Sequence, residues 1–216
     1  MKWDYEFDVV VIGSGNGALT SAICSHDGGA KTLVIEKSTQ FGGTSATSGG
    51  GVWIPNNRYA KAMNVDDSDQ DARDYINSVS PEGKIKDELV ETYLSEGPKM
   101  IDYLHENSQV KYRNLAHYPD YFPDNPGGKA GNRSMEPEPI KGTELGDDLA
   151  KLREQHPQTA FTMGPINMNF TQVEGQLLLG ALPGWKSLFA KLFSKYILDI
   201  PMRLKWGWKD RRLTMG

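Results

Sequence analysis

Gly13, Gly15 and Ala18 follow the apolar run Asp8-Val-Val-Val-Ile12, in the order Gly-Ser-Gly-Asn-Gly-Ala, and a carboxylate, Glu36, closes a second apolar run that begins at Thr32. Residues of these types at these offsets suit a dinucleotide. Glycine at 13 admits the tight turn that ends a strand, glycine at 15 lets backbone approach a diphosphate, and a small residue at 18 lets the next helix pack close to the sheet. That helix aims its free N–H groups and the positive end of its dipole at the phosphates, so Asn16 and Gly17 join Gly13, Gly15 and Ala18 in the expected cradle. Glu36 lies 21 residues beyond Gly15, the offset at which an acid at a strand tip accepts hydrogen bonds from ribose hydroxyls. A glycine-rich turn of another α/β protein is the alternative; strand, spacing and acid together weigh against it.

Two further stretches carry polar or aromatic groups in unusual density. The run Phe41-Gly-Gly-Thr-Ser-Ala-Thr-Ser-Gly-Gly-Gly-Val-Trp-Ile-Pro55 is bracketed by Phe41 and by Val52-Trp53-Ile54. Those apolar ends should be pinned in a core while the glycines and hydroxyls line a surface, unlike a flexible linker. Tyr118 to Gly146 interleaves prolines with glycines, and Tyr118, Tyr121 and Phe122 give it area to bury, which favours an ordered lid or pocket wall over disorder.

Metal and disulfide chemistry find little support. His26, His105, His117 and His156 are scattered without the i, i+4 pairing of helical metal sites. Cys24 is the single cysteine and falls on the helix after the glycine loop, where a small core filler is the expected role. A net charge of −4 argues against general nucleic-acid affinity, which needs a basic surface. The N-terminal residues carry acids and lack the apolar stretch of a signal peptide, so a cytoplasmic location is expected.

The elements that must position these groups can be read from periodicity. Asp8–Ile12, a helix from about Asn16 to His26, a turn at Gly28-Gly29 and Lys31–Ile35 form a βαβ unit with parallel strands. Asp67 or Ser68 caps a helix that runs through Val79. Ile85, Leu89, Val90, Tyr93 and Leu94 define the apolar face of a helix over 82–96, which Gly97-Pro98 breaks, and Pro98 opens another helix through about Glu106. From Trp185 to Ile200 the residues Trp185, Leu188, Phe189, Leu192, Phe193, Tyr196 and Ile197 share one helical face. Residues 184–216 hold eight basic and two acidic side chains, net +6, against −10 for the remainder. Such a basic amphipathic segment either packs on the rest of the protein or lies in a membrane interface.

On Gly13–Ala18, Val34-Ile-Glu-Lys37, Phe41–Pro55, Tyr118-Pro-Asp-Tyr-Phe122 and Gly131-Asn-Arg-Ser-Met-Glu-Pro-Glu-Pro139, the chain resembles the N-terminal part of FAD-dependent 3-ketosteroid Δ1-dehydrogenases, in the fumarate reductase flavoprotein group. The resemblance implies an α/β, Rossmann-type FAD-binding domain of a larger two-domain flavoprotein. It implies that Gly42, Gly43, Thr44, Ser45, Ser48, Gly49, Gly50, Gly51 and Val52 lie along phosphate, ribityl and flavin, and that Lys37 lies near the adenosine ribose. Tyr121 matches the family's active-site tyrosine. The implied reaction removes hydrogens from carbons 1 and 2 of a 3-ketosteroid, in steroid catabolism, with FAD as cofactor and an external electron acceptor.

The family's principal base tyrosine, its ketone-holding groups and the later flavin-site segments have no counterpart in these residues. The chain is therefore expected to be an incomplete FAD-binding domain over 1–216, with a pocket loop at 116–146 and a basic amphipathic segment at 184–212, and to be inactive alone. The competing expectations are another fumarate-reductase-like dehydrogenase or reductase, and a noncatalytic FAD-binding or membrane-surface module.

Overall fold

A computed structural model describes residues 3–154, 161–163, 166–168, 170–208 and 210–213; His156 and Lys209 lie outside these. The chain divides into two compact units, one made of Met1–Gly49 with Ile140–Gly216 and the other of Gly50–Pro139.

In the first unit, β1 (Val9–Ile12), α1 (Asn16–Asp27) and β2 (Thr32–Ile35) form the expected βαβ crossover. The strands pair in parallel, with Val9 opposite Thr32 and Ile12 opposite Ile35. The Asp8 carboxylate accepts the Lys31 N–H at 2.8 Å, which locks the register where the pair begins. Gly13 takes φ +97°, a conformation that a side chain rarely adopts, and so turns the chain sharply from β1 toward α1. Cys24 is exposed, not core filler: α1 buries no residue, and its outer face meets nothing that covers the thiol among the described residues. Val10 and Ile12 are likewise exposed, since only two strands pair in this sheet among the described residues.

The remainder of this unit holds a 3-10 segment over Gly142–Lys151, a hairpin of β6 (Phe161–Met163) and β7 (Ile166–Met168), and three helices. Helix α5 (Gln172–Leu179) starts with a capping box in which Thr171 and Glu174 satisfy each other's backbone N–H groups. The expected helix from Trp185 to Ile200 is two: α6 (Trp185–Leu198) and α7 (Ile200–Trp206). Pro201 has no N–H to give back to the preceding turn and suits the first turn of a new helix, so α6 ends before it and α7 carries it in its first turn.

The second unit packs a three-stranded antiparallel sheet, β3 (Val52–Trp53), β5 (Ser134–Pro137) and β4 (Tyr112–Asn114) in that spatial order, with α2 (Arg58–Ala62), α3 (Asp69–Val79) and α4 (Asp87–Asn107). Ile54, Ile101, Tyr112 and Met135 form the main core cluster. The expected pocket loop at 116–146 thus contains the central strand of a sheet. Ser68, one of the two predicted caps, accepts the Asp71 N–H. The predicted break at Gly97-Pro98 is absent, because α4 runs through both residues. Proline in a helix interior costs roughly 3 kcal/mol, and the fully or nearly buried Leu94, Ile101 and Leu104 on either side of it offset that cost. Gly97 serves packing: a Cβ there would sit 3.3 Å from Ile54 Cδ1.

Candidate cofactor cleft and aromatic pocket

The turn after β1 and the tip of β2 enclose a cleft of about 640 Å3 lined by Gly13, Ser14, Gly15, Glu36, Lys37, Ser38, Gly43, Thr44 and Arg153, among others. Its organising residue is Ser14, which is 3% exposed. The Gly42 N–H donates to Ser14 Oγ at 3.0 Å, and the Ser14 hydroxyl donates to Glu36 Oε2 at 2.5 Å. The Ser38 N–H holds the other oxygen, Oε1, at 2.9 Å. Hydrogen bonding from Ser14 first, then from the Ser38 backbone, holds the Glu36 carboxyl below the ordinary glutamate range. Both carboxylate oxygens are thereby held in place where Glu36 lines the cleft.

The second polar run docks against the first. Ser45 begins a short 3-10 turn, Ser45–Thr47, and its hydroxyl accepts the Asn16 N–H at 2.9 Å. Gly43 sits against the Gly15 backbone, where a Cβ would be 3.5 Å from Gly15 Cα, and Gly42 would bring a Cβ to 2.7 Å from Ala46 Cβ. Gly42 and Gly43 take φ +105° and +54°, backbone that a side chain rarely adopts, and so turn this run against the first.

The donor set fits the ADP half of a dinucleotide. Helix α1 has Gly15 as its N-cap and gives its first N–H, that of Asn16, to Ser45, and Cβ atoms added to Gly13 or Gly17 would meet nothing within 4 Å, so open space flanks the helix N-terminus. Of the residues expected from sequence, Gly13, Gly15, Glu36, Lys37, Gly43 and Thr44 line this one cleft. Asn16 is tied to it through Ser45, and Gly42 through Ser14. Gly17 is exposed and Ala18 half-buried on the first turn of α1. The Ser48 hydroxyl donates to the Ser45 carbonyl at 2.9 Å, closing the 3-10 turn, and Gly49 follows it with open space around its Cα.

Gly50, Gly51 and Val52 belong to the second unit. There Gly50, at φ +69°, would bring a Cβ to 2.8 Å from Pro137 Cγ, and Gly51 one to 3.6 Å from the Met135 carbonyl. Val52 pairs with Met135. These three positions let the chain lie flat on β5.

The second unit also holds a pocket of about 310 Å3 lined by Trp53, Tyr75, Ile76, Val79, Tyr118, Pro119, Asp120, Tyr121, Phe122 and Ser134. Tyr121 is 84% exposed at this pocket. Its neighbour Asp120 is buried and fully engaged: it accepts from Trp53 Nε1 at 2.7 Å, from the Lys129 N–H at 3.0 Å and from Arg133 at 2.9 Å. Arg133, 1% exposed, also holds Asp67 at 2.7 Å and lies over the Trp53 and Tyr75 rings. The buried charges are thus paired, as burial requires.

Ser14, Asp120, Arg133 and Arg153 were not among the residues expected from sequence. The serine carried no signal because the motif constrains only its glycine neighbours. Asp120 lay inside the quoted Pro-Asp-Tyr run, but its partners are distant in sequence.

Residues 8–188 match the family described as "FAD binding domain". The chain is 39% identical over 163 residues to the 3-oxosteroid 1-dehydrogenase of Mycobacterium tuberculosis, covering 76% of this chain and 28% of that protein. It is 35% identical to the 3-oxosteroid 1-dehydrogenase of Comamonas testosteroni, covering 99% of this chain and 36% of that one. Among solved structures, it superposes with a TM-score of 0.84 and 38% identity on the 3-ketosteroid delta1-dehydrogenase of Sterolibacterium denitrificans, solved in complex with 1,4-androstadiene-3,17-dione, over 96% of this chain and 35% of that chain. The chain spans about a third of the length of the relatives it matches.

Proposed function

Because the chain belongs to the FAD binding domain family, we propose that it holds FAD for the 1,2-dehydrogenation of 3-ketosteroids. The observation that carries the reading is the Ser14–Glu36 bond at 2.5 Å, which fixes a carboxylate acceptor in the cleft that the N-cap of α1, Gly15, also lines. In this reading Gly15, Asn16, Gly17 and Ala18 face the diphosphate, Glu36 accepts the ribose hydroxyls, and Lys37, Gly43, Thr44 and Ser45 complete the wall. Ser48 and the glycines from Gly49 to Gly51, with Val52, continue toward the flavin. FAD, when bound, accepts the hydride from carbon 1.

The 310 Å3 pocket supports a steroid over a dicarboxylate substrate. Apart from Asp120 and Ser134 its lining is aromatic and aliphatic, with no basic residue among the described residues that line it, whereas a dicarboxylate would require cations. Tyr121 is the group of this chain that we assign to the reacting edge of the steroid. The proton on carbon 2 is acidified by the neighbouring ketone, and a tyrosyl hydroxyl can assist its removal. The Trp53 indole and Arg133, through Asp120, would fix the turn that presents Tyr121.

Reconstitution tests the reading. The purified chain is mixed with FAD, its visible spectrum is recorded, and a 3-keto-4-ene steroid is added anaerobically. Retention of a shifted flavin band after gel filtration is expected, with bleaching expected only if these residues suffice for the chemistry. Loss of all flavin on filtration would remove the proposal for this chain.

A peripheral membrane contact is a second element of the proposal. Phe189, Phe193 and Ile197 on α6 are about half-exposed, and the two phenyl rings stack at 6.3 Å. Lys186 and Lys191 are exposed on the same helix, a pattern suited to an anionic lipid surface. Not all the basic residues are available: Arg203 is buried against Tyr196, Arg211 donates to the Leu149 and Leu152 carbonyls, and Arg212 pairs with Asp210.

A further inference from the structure

The nucleotide cleft contains a cation that the glycine motif does not supply. The Phe41 N–H donates to the Lys151 carbonyl and the Arg153 N–H to the Phe41 carbonyl, each at 2.9 Å, making a parallel bridge between Phe41 and Leu152. Leu152 packs on the adjoining turn, its Cδ1 lying 3.0 Å from where a Cβ on Gly42 would be. From the other side the Arg211 guanidinium donates to the Leu152 carbonyl at 2.8 Å. Backbone bonds on both sides therefore fix where the Arg153 side chain leaves the chain, and it lines the cleft together with Gly13, Ser14, Gly15, Glu36 and Thr44.

The charge of Arg153 is not consumed internally. Lys151 pairs with Asp148 and Arg212 with Asp210, but Arg153 forms no ion pair among the described residues. Glu36 shares the cleft, yet its oxygens are held by Ser14 and Ser38. A dinucleotide diphosphate brings two negative charges, and a helix N-terminus offsets only about half a charge. Glu36 adds a third negative charge nearby, and Lys37, which lines the same cleft, offsets one. The cleft needs further positive charge, and a guanidinium can grip phosphate oxygens in bidentate fashion.

From this placement we infer that Arg153 is a binding residue for the diphosphate of the cofactor's ADP half. The inference rests on the cofactor reading of the same cleft. It assigns the 151–153 segment, 138 residues downstream of Gly15, a part in holding the nucleotide.

Calorimetric titration of the full chain with ADP, and separately with adenosine, tests it in Arg153→Ala, Arg153→Lys and Arg153→Glu variants. The side chain is exposed, so circular dichroism and melting should match wild type. Loss of a charge-assisted contact should weaken ADP binding about tenfold in Arg153→Ala, more in Arg153→Glu and less in Arg153→Lys. The salt dependence of ADP binding should flatten, and adenosine binding should stay unchanged. ADP binding to Arg153→Ala as tight as to wild type would overturn the inference and leave the cofactor reading intact. An equal loss for adenosine would overturn the assignment to the diphosphate. No ADP binding by wild type would overturn both.

Discussion

Ser14 shows how one hydroxyl can organise a binding site without contacting the ligand's reacting atoms. It takes an N–H from the loop at Gly42 and gives its proton to Glu36, coupling two segments that a dinucleotide must touch at once. Replacing Ser14 with Ala leaves the Gly42 N–H without its acceptor and removes the largest cause of the lowered Glu36 pKa. In that variant, carboxyl-carbon NMR should show Glu36 titrating closer to the ordinary glutamate range, and ADP affinity should fall several-fold, as for a lost hydrogen bond to a charged group. The sign follows from linkage: a carboxyl with a lowered folded pKa contributes to stability above the ordinary range, and that contribution is lost as pH falls through the lowered value. Nucleotide binding by wild type should thus persist to lower pH than binding by the variant; coincident pH profiles would show that Ser14 does not set the state of Glu36.

Local and long-range influences compete at the scale of elements. Gly97-Pro98 reads locally as a helix stop, yet the 21-residue α4 runs through it, because buried residues anchor it on either side, Leu94 in one core cluster and Ile101 in another. The stretch from Tyr118 to Gly146 reads as an ordered lid or pocket wall, and what holds its first part is long-range: Asp120 ties it to Trp53, Lys129 and Arg133. Removing the Asp120 carboxylate leaves the Trp53 indole and the Lys129 N–H without an acceptor, while Arg133 keeps Asp67; each buried group left unsatisfied costs about 1–3 kcal/mol. Asp120→Ala should lower stability by that order in chemical denaturation and release Tyr121 from its fixed turn, read as increased amide exchange over 118–129. An unchanged midpoint would mean that the loop is held by its packing alone.

For the molecule as a whole, α6 carries a question of surface chemistry. No helix among the described residues is long and apolar enough to cross a membrane, and the lipid contact proposed for α6 is a peripheral one. Phe189→Ser with Phe193→Ser should abolish co-sedimentation with vesicles containing anionic lipid, while wild-type binding should survive high salt if the phenyl rings insert. Absence of wild-type binding to anionic vesicles at any salt would leave α6 with a purely internal role.

The βαβ unit, the glycine turn and Glu36 were legible in the sequence because they depend on short-range rules: short continuous apolar runs, a glycine where the chain must turn sharply, and a fixed offset to an acid. The resemblance carried the FAD-binding fold, which the family match and the superposition bear out. Contacts between residues far apart in sequence were not legible. Ser14 with Gly42, Asp120 with Trp53, and Leu152 with Phe41 each depend on chain segments meeting in space, and no local periodicity encodes such a meeting. The exposure of Cys24 and the burial of Arg203 have the same origin: residue type sets the cost of a given environment, while tertiary packing decides which environment each side chain receives.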